Sequence, residues 1–170
     1  MSIASEKNKL VSERLMLAVP TEPVETGSQL DTWPPHITLV PWFDLPTNRW
    51  QDFDASFKEE DIVWDLDSRV RVVKKELFGT DDAPIEVARL FGIMSVLAHA
   101  RSAGLVREFG GEFDVTYTGS NWHAHISDST HRVYDVGEDI ALNAIAVFQK
   151  KDGVKIIKQQ YTRKEVTGNQ

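Results

Sequence analysis

The chain has 170 residues, a formal net charge of −7, 41% hydrophobic and 26% charged residues, and no cysteine. This composition is ordinary for a globular protein of one domain, and it excludes disulfides and thiolate metal sites. No apolar run approaches the ~18 residues of a membrane span, and the first residues lack an apolar signal core, so we expect a cytoplasmic protein with no membrane partner. The acidic balance argues against a long nucleic-acid footprint, because duplex affinity comes largely from neutralised phosphates, but it allows a nucleotide or a strand terminus.

Hydrophobic patterning predicts strands in both halves of the chain and one principal helix in each half. Residues 1–13 are expected to form a flexible arm, which leaves residues 14–170 as a single domain. Asp152-Gly153 is a strong hairpin signal, so neighbouring strands are expected to run antiparallel and the fold class is α+β. In chain order the predicted elements are strand 14–20, loop 21–35, strand 36–43, helix 46–60, two strands within 64–78, strand 85–90, helix 93–103, strand 123–127, and strands 140–149 and 154–163.

The second predicted helix has apolar residues at helical spacing, and we expect this face to be buried. Its members are Ile93, Val96, Leu97 and Ala100. Gly104 is expected to end the helix as its C′ residue. His99 lies off the apolar face and is expected to be solvated.

Two short stretches carry the residue types needed for phosphoryl chemistry. His36 is followed at i+2 by Thr38, and His125 by Ser127. In an extended strand these partners share one face, while Ile37 and Ile126 point to the other. An imidazole exchanges a proton near neutral pH, and a hydroxyl can hydrogen-bond a phosphoryl oxygen. Two such pairs that face each other would supply an acid, a base and a phosphate cradle.

These motifs resemble those of the two-histidine phosphoesterase superfamily, and within it the LigT-like or 2′-5′ RNA ligase-like branch. Members carry two His-x-Thr/Ser motifs with an apolar x, separated by somewhat under a hundred residues, as here. The first motif with its preceding Pro35 matches closely. The second departs from the pattern, since Ala124 stands where proline is common, Ser127 replaces threonine, and polar Asp128 follows.

The resemblance implies a bilobal LigT-like α+β fold, with two antiparallel sheets, outer helices and a central cleft. It implies metal-independent hydrolysis of 2′,3′-cyclic phosphate or 2′-5′ phosphodiester linkages of RNA ends or small nucleotides. The substrate would be a nucleotide or an RNA terminus, no cofactor is expected, and the protein is expected to be a monomer. The catalytic residues implied are His36, Thr38, His125 and Ser127.

Other side chains near the motifs are candidates for substrate binding. They are His123, Trp42, Trp122 and Tyr161. In addition, Arg69, Arg71 and Lys75 share one face if their strand is regular, and this face either binds phosphates or is simply solvated.

Three alternatives remain open at the level of sequence. His36, His123 and His125 could be the three ligands of an open zinc site. The scaffold could bind a nucleotide without turnover, which the weaker second motif suggests. A third possibility keeps the chemistry and changes the substrate to a cyclic oligonucleotide. His131 sits in a polar loop and is expected to be structural or exposed.

Overall fold

A computed structural model describes residues 11–79, 81–93, 95–116, 118–127 and 132–163. The first ten residues of the predicted arm, as well as Asp128 and His131, lie outside the described residues. The strands are β1 Ser12–Pro20, β2 Gln29–Leu30, β3 His36–Pro46, β4 Arg69–Phe78, β5 Ile85–Phe91, β6 His125–Ser127, β7 Asp139–Ala141, β8 Ala144–Lys151 and β9 Val154–Thr162. The helices are α1 Trp50–Glu60 and α2 Ser95–Glu108, with single 3₁₀ turns at Thr47–Arg49, Ile62–Asp65 and Gly119–Asn121.

The described strands form one antiparallel sheet in the order β2-β9-β8-β1-β3-β6-β5-β4-β7. Its centre is the β3–β6 contact, where Ile37 pairs with Ile126. We call the strands from β2 to β3 lobe 1 and those from β6 to β7 lobe 2. The α+β fold is confirmed. In place of the two expected sheets, the described strands form a single sheet whose two lobes meet at this narrow contact.

Both helices lie on the same face of the sheet and cover one large core. This core includes Ile37, Phe53 and Ile126, and it takes residues from both lobes and from α1 and α2. A smaller cluster with Met16 and Phe148 lies on the opposite face of lobe 1. We call this opposite face of the sheet the open face.

Several predicted boundaries change in the structure. The segment predicted as two strands within 64–78 contains one strand, β4, because residues 62–65 form a 3₁₀ turn. The predicted strand 140–149 is divided between β7, which pairs with β4, and β8, which pairs with β1. The chain therefore crosses from lobe 2 to lobe 1 between them. The final hairpin is confirmed, with φ of 52° at Asp152 and 78° at Gly153, as a type I′ turn requires.

The second helix was predicted with the wrong end and the wrong buried face. It continues through Gly104 to Glu108, and Gly110 with φ of 87° follows it. Val96 and Leu97 are exposed, whereas the side that faces the core carries mostly small residues in its first turns and larger apolar ones near its end. The buried residues of the helix are Ser95, Ala98, His99, Ser102, Ala103, Leu105 and Val106. The face that tertiary packing buries is therefore not the one that carries the apolar residues of the first turn. None of the helices in the described part of the chain is long and apolar enough to span a membrane.

Candidate active site

The two His-x-Thr/Ser motifs lie side by side at the centre of the sheet. Because Ile37 pairs with Ile126 in an antiparallel ladder, His36 stands opposite Ser127 and Thr38 opposite His125. The isoleucines point into the core, so all four polar side chains project from the open face. The two histidines are diagonal neighbours, a relation that separates Cβ atoms by about 7 Å in a regular ladder.

Each motif histidine is fixed by the carbonyl group two residues before it. The Nδ1–H of His36 donates to the Pro34 oxygen at 2.8 Å, and that of His125 donates to the His123 oxygen at 2.9 Å. A carbonyl oxygen only accepts, so Nδ1 carries the proton in both neutral rings. The Nε2 lone pair is left as the position where each imidazole can take up or release a proton.

An aromatic ring also supports each imidazole edge-on. The His36 ring lies 5.1 Å from the ring of Phe148, and the His125 ring lies 4.7 Å from that of Phe78. Phe148 lies on β8 and Phe78 on β4. Each of these strands is the second neighbour, within its lobe, of the strand that carries the motif histidine. The two rings are thus held in the same manner on the two sides of the sheet centre.

Both motif histidines are less basic than a free imidazole. Burial lowers the pKa of His36, the hydrogen bond to Pro34 opposes this in part, and the charge of His125 lowers it further. Burial also lowers the pKa of His125, against the opposing effects of the His123 carbonyl and the Glu76 carboxylate. Neutral rings therefore predominate at pH 7 in the unliganded protein, and a bound phosphate anion would favour protonation of one of them.

The two motif hydroxyls flank the histidines. Thr38 is half-buried, and its Oγ1 lies 3.9 Å from the sulfur of Met16, a weak acceptor. Ser127 is exposed and lies opposite the buried Val87 on β5. Neither hydroxyl has a strong acceptor as partner in these contacts, so both can be turned toward an incoming phosphoryl oxygen.

Trp122 lies in the core beneath the motif strands, at 8% exposure, and its ring is away from the open face that carries the two motif histidines. Its Nε1–H donates to the Thr38 carbonyl at 3.1 Å, and its ring stacks on His99 at 4.8 Å.

His99, predicted to be solvated, is only 1% exposed. Its Nδ1–H donates to the Leu39 carbonyl at 2.6 Å, and its Nε2 accepts the Gly119 N–H at 3.0 Å. These bonds tie the segment that precedes β6 to β3.

Tyr161 also lies away from the motif pairs, on the helix-covered face. Its hydroxyl donates to Asp54 at 2.8 Å, and its ring packs 4.4 Å from that of Phe57. Burial and the Asp54 carboxylate raise the pKa of the phenol well above its usual range. Trp42 is half-buried at the edge of the lobe 1 open face, with Lys150 4.5 Å above its ring.

His123 lies on the open face and contacts residues that the motif analysis did not single out. Arg89 stands opposite His125 in the β5–β6 register, and its Nη2 lies 2.8 Å from His123 Nδ1. The Nη1 atom of Arg89 lies 3.1 Å from a carboxylate oxygen of Glu76. The Lys74 ammonium lies 3.2 Å from the same oxygen. The alternation of β5 residues was the sequence signal that could have placed Arg89 on this face.

The predicted cationic face is altered by an irregularity in β4. A bulge between Val72 and Lys74 shifts the alternation, so that Lys74 shares the face of Arg71 and Lys75 turns to the other side. The Lys75 ammonium donates to the Tyr134 carbonyl at 2.8 Å. Burial would raise the pKa of the Glu76 carboxyl, but Lys74 and Arg89 lower it overall.

The residues of the zinc alternative do not form a metal-ligand group. Within the described part of the chain, no three His, Cys, Asp or Glu side chains are placed to hold a metal ion. His36 and His125 use Nδ1 for backbone carbonyls, and His123 uses Nδ1 for Arg89.

Comparison with solved structures identifies the fold. Escherichia coli LigT complexed with 3′-AMP superposes with a TM-score of 0.56 at 9% identity, over 89% of this chain and 98% of LigT. A crystal structure described as a phosphoesterase gives 0.54 at 9% identity, over 89% and 98% of the two chains. TT0787 of Thermus thermophilus gives 0.52 at 16% identity, over 88% and 97%. No family model and no curated protein matches the sequence.

The chain therefore has a LigT-like fold, as the family resemblance implied. The match extends over nearly the full length of those chains, and it includes both lobes.

Proposed function

We propose that this protein is a two-histidine phosphodiesterase that hydrolyses 2′,3′-cyclic phosphate or 2′-5′ phosphodiester linkages of nucleotides or RNA ends. The observation that carries the proposal is the diagonal placement of His36 and His125 on one face, each with Nδ1 held by a carbonyl. With Nδ1 engaged in this way, each ring keeps Nε2 for proton transfer, and the two rings would flank one phosphoryl group. The fold is shared with LigT, which has been crystallised with 3′-AMP, NADP+ and ATP.

The reaction would proceed by in-line displacement at phosphorus. The neutral Nε2 of one histidine takes a proton from water as the water oxygen forms its bond to phosphorus. The bond from phosphorus to one ribose oxygen breaks, and the Nε2–H of the other histidine protonates that oxygen. Thr38 and Ser127 would donate hydrogen bonds to the non-bridging oxygens, where negative charge accumulates. The base gains one proton and the acid loses one, so the net charge of the protein is unchanged, and exchange with solvent restores the starting protonation state of each histidine.

The test is a substrate panel with wild type, His36→Ala and His125→Ala in the presence and absence of EDTA. The panel contains a 2′,3′-cyclic mononucleotide, a 2′-5′ dinucleotide and a cyclic dinucleotide. We expect wild-type turnover that EDTA leaves unchanged, and a loss of about 10²–10⁴-fold in kcat in each variant.

On the 2′,3′-cyclic mononucleotide, which carries a single phosphate, His123→Ala is the matched control, since it removes a neighbouring exposed imidazole from the same face of the sheet. It should lose far less kcat than His125→Ala. Activity within a few-fold of wild type in either motif variant contradicts the proposal. Intact nucleotide after long incubation with saturating wild-type protein would favour a binding module, and turnover of the cyclic dinucleotide alone would move the substrate class to cyclic oligonucleotides.

A further inference from the structure

The environments of the two motif histidines are alike in geometry and differ in charge. In both lobes the imidazole donates to the carbonyl at i−2 and meets a phenylalanine edge-on. On lobe 1, the residue opposite His36 on the neighbouring strand is Pro20, and the residue at i−2 is Pro34. The same two positions around the lobe 2 histidine are Arg89 and His123. These two positions are therefore occupied by prolines around His36 and by polar side chains around His125.

The hydrogen bond between Arg89 and His123 determines which of their nitrogen atoms remain as donors. A guanidinium has only donors, so His123 Nδ1 must accept the bond from Arg89. The neutral His123 ring then carries its proton on Nε2, and this ring is exposed. Glu76 binds Arg89 and Lys74 together, which leaves one net positive charge in the group of Lys74, Glu76 and Arg89. Such a group suits an anion that accepts hydrogen bonds.

An exposed aromatic side chain lies next to these donors. The β5–β6 ladder continues past Arg89 to the bond from Leu90 N to the Ala124 carbonyl, which places Phe91 opposite His123. Phe91 shares the face of Arg89 and is 62% exposed. An exposed aromatic ring beside an anion site is suited to stacking with a base.

We propose that Arg89 and His123 form a subsite for a second phosphoryl group of the substrate, one nucleoside away from the group between the motif histidines, with Phe91 as the stacking surface for the adjoining base. His123 precedes His125 by two residues of extended chain, or about 7 Å, which is comparable to the separation of successive phosphates in a nucleotide chain. The inference rests on the proposed function and specifies its substrate: an end that carries a further phosphate on the lobe 2 side is preferred over a bare cyclic mononucleotide.

The experiment compares two substrates that differ by one group, adenosine 2′,3′-cyclic phosphate with and without a 5′-phosphate. For wild type we expect kcat/KM to be about tenfold higher for the 5′-phosphorylated compound, as for a partly exposed charge-assisted contact. Arg89→Gln should bring the ratio of the two values close to one, and Arg89→Lys should give an intermediate ratio, because lysine keeps the charge and loses the planar fork. On a dinucleotide with a 2′,3′-cyclic end, Phe91→Ala should raise KM several-fold.

Arg14→Gln is the matched control, because Arg14 is an exposed arginine on β1, the lobe 1 counterpart of β5, with an ion pair to Asp44 at 3.2 Å. It should keep the wild-type ratio. Equal kcat/KM for both substrates in wild type, or an equal loss of the ratio in both glutamine variants, overturns the subsite and leaves the proposed function standing. Turnover of neither substrate removes the cyclic-phosphate activity of the proposed function instead. In that case the ratio of the dissociation constants of adenosine 3′-monophosphate and adenosine 3′,5′-bisphosphate, measured by calorimetry in wild type and Arg89→Gln, decides whether the anion subsite exists.

Discussion

At the scale of single residues, the two-residue period of a strand decides which side chains share a face of the sheet. His36 with Thr38, and His125 with Ser127, obey this rule in β3 and β6. The environment of each residue was less predictable. His99 was expected in solvent from its place on a helical wheel, yet the structure gives it backbone partners on both ring nitrogens. Those partners belong to segments 60 and 20 residues away, and no local pattern contains them.

Glu76→Gln provides a test that assigns the roles of the two histidines. The Glu76 carboxylate raises the pKa of His125 against the larger lowering by burial, so its neutralisation should lower that pKa further. One limb of the bell-shaped profile of kcat/KM against pH should therefore move to lower pH. If the acidic limb moves, His125 is the base in the free enzyme; if the alkaline limb moves, it is the acid.

Asp139→Asn is the control for this measurement, since Asp139 is also a carboxylate in an ion pair, with Arg71 at 3.0 Å, and is not among the groups that shift either motif histidine. Its profile should overlay that of wild type. A movement of either limb to higher pH in Glu76→Gln would contradict the electrostatic assignment.

At the scale of elements, periodicity predicted the presence of strands and helices better than their faces. Helix α2 shows why, because it buries Ala98 and Ser102 and exposes Val96 and Leu97. A helical wheel ranks residues by hydrophobicity, whereas the buried face is set by contacts with distant parts of the chain, such as the bond from His99 to Leu39. The bulge in β4 is a second case, since one extra residue moves Lys75 off the open face and brings Lys74 onto it.

The attachment of α2 to β3 should be sensitive to acid through His99. Burial lowers the pKa of His99 below its ordinary value of 6.5, and the hydrogen bond to Leu39 offsets this only in part. Below pH 6.5 the unfolded chain binds a proton at this residue before the folded chain does, so the free energy of unfolding falls as pH falls and is constant above that range. The contribution of one histidine is at most about 1.4 kcal/mol per pH unit.

Urea unfolding at pH 7.5 and 5.5 measures this effect. His99→Gln should unfold at lower urea than wild type at pH 7.5 and lose less stability on acidification. Ser102→Ala is the control on the same helix, because its buried hydroxyl has no hydrogen-bond partner among the described residues, and it should keep the full acid sensitivity of wild type. An acid sensitivity in His99→Gln equal to that of wild type would show that His99 is not responsible.

At the scale of the whole molecule, the site arises from a near-symmetric pairing of two lobes. The family resemblance implied two lobes, and the structure has two lobes that meet at β3 and β6. The alignment of the motifs depends on the pairing of Ile37 with Ile126, supported by the bonds of Trp122 and His99 to β3. Such a register is set by tertiary contacts, so it could not be read from the two motifs alone.

The lobes are proposed to unfold as one domain, because their core is continuous and the chain leaves lobe 1 and later returns to it. Ile140 on β7 and Ile145 on β8 lie only five positions apart, in different lobes, yet both are buried in the same cluster. Ile140→Val and Ile145→Val should each lower the free energy of unfolding by about 0.5–1.5 kcal/mol. In both variants, tryptophan fluorescence and far-ultraviolet circular dichroism should give one coincident urea transition, shifted to lower urea with an unchanged slope. If the lobes unfolded independently, Ile140→Val would shift only the transition of lobe 2 to lower urea, and the transition of lobe 1 would stay at the wild-type midpoint. Two resolved transitions in that variant would therefore contradict a single cooperative domain.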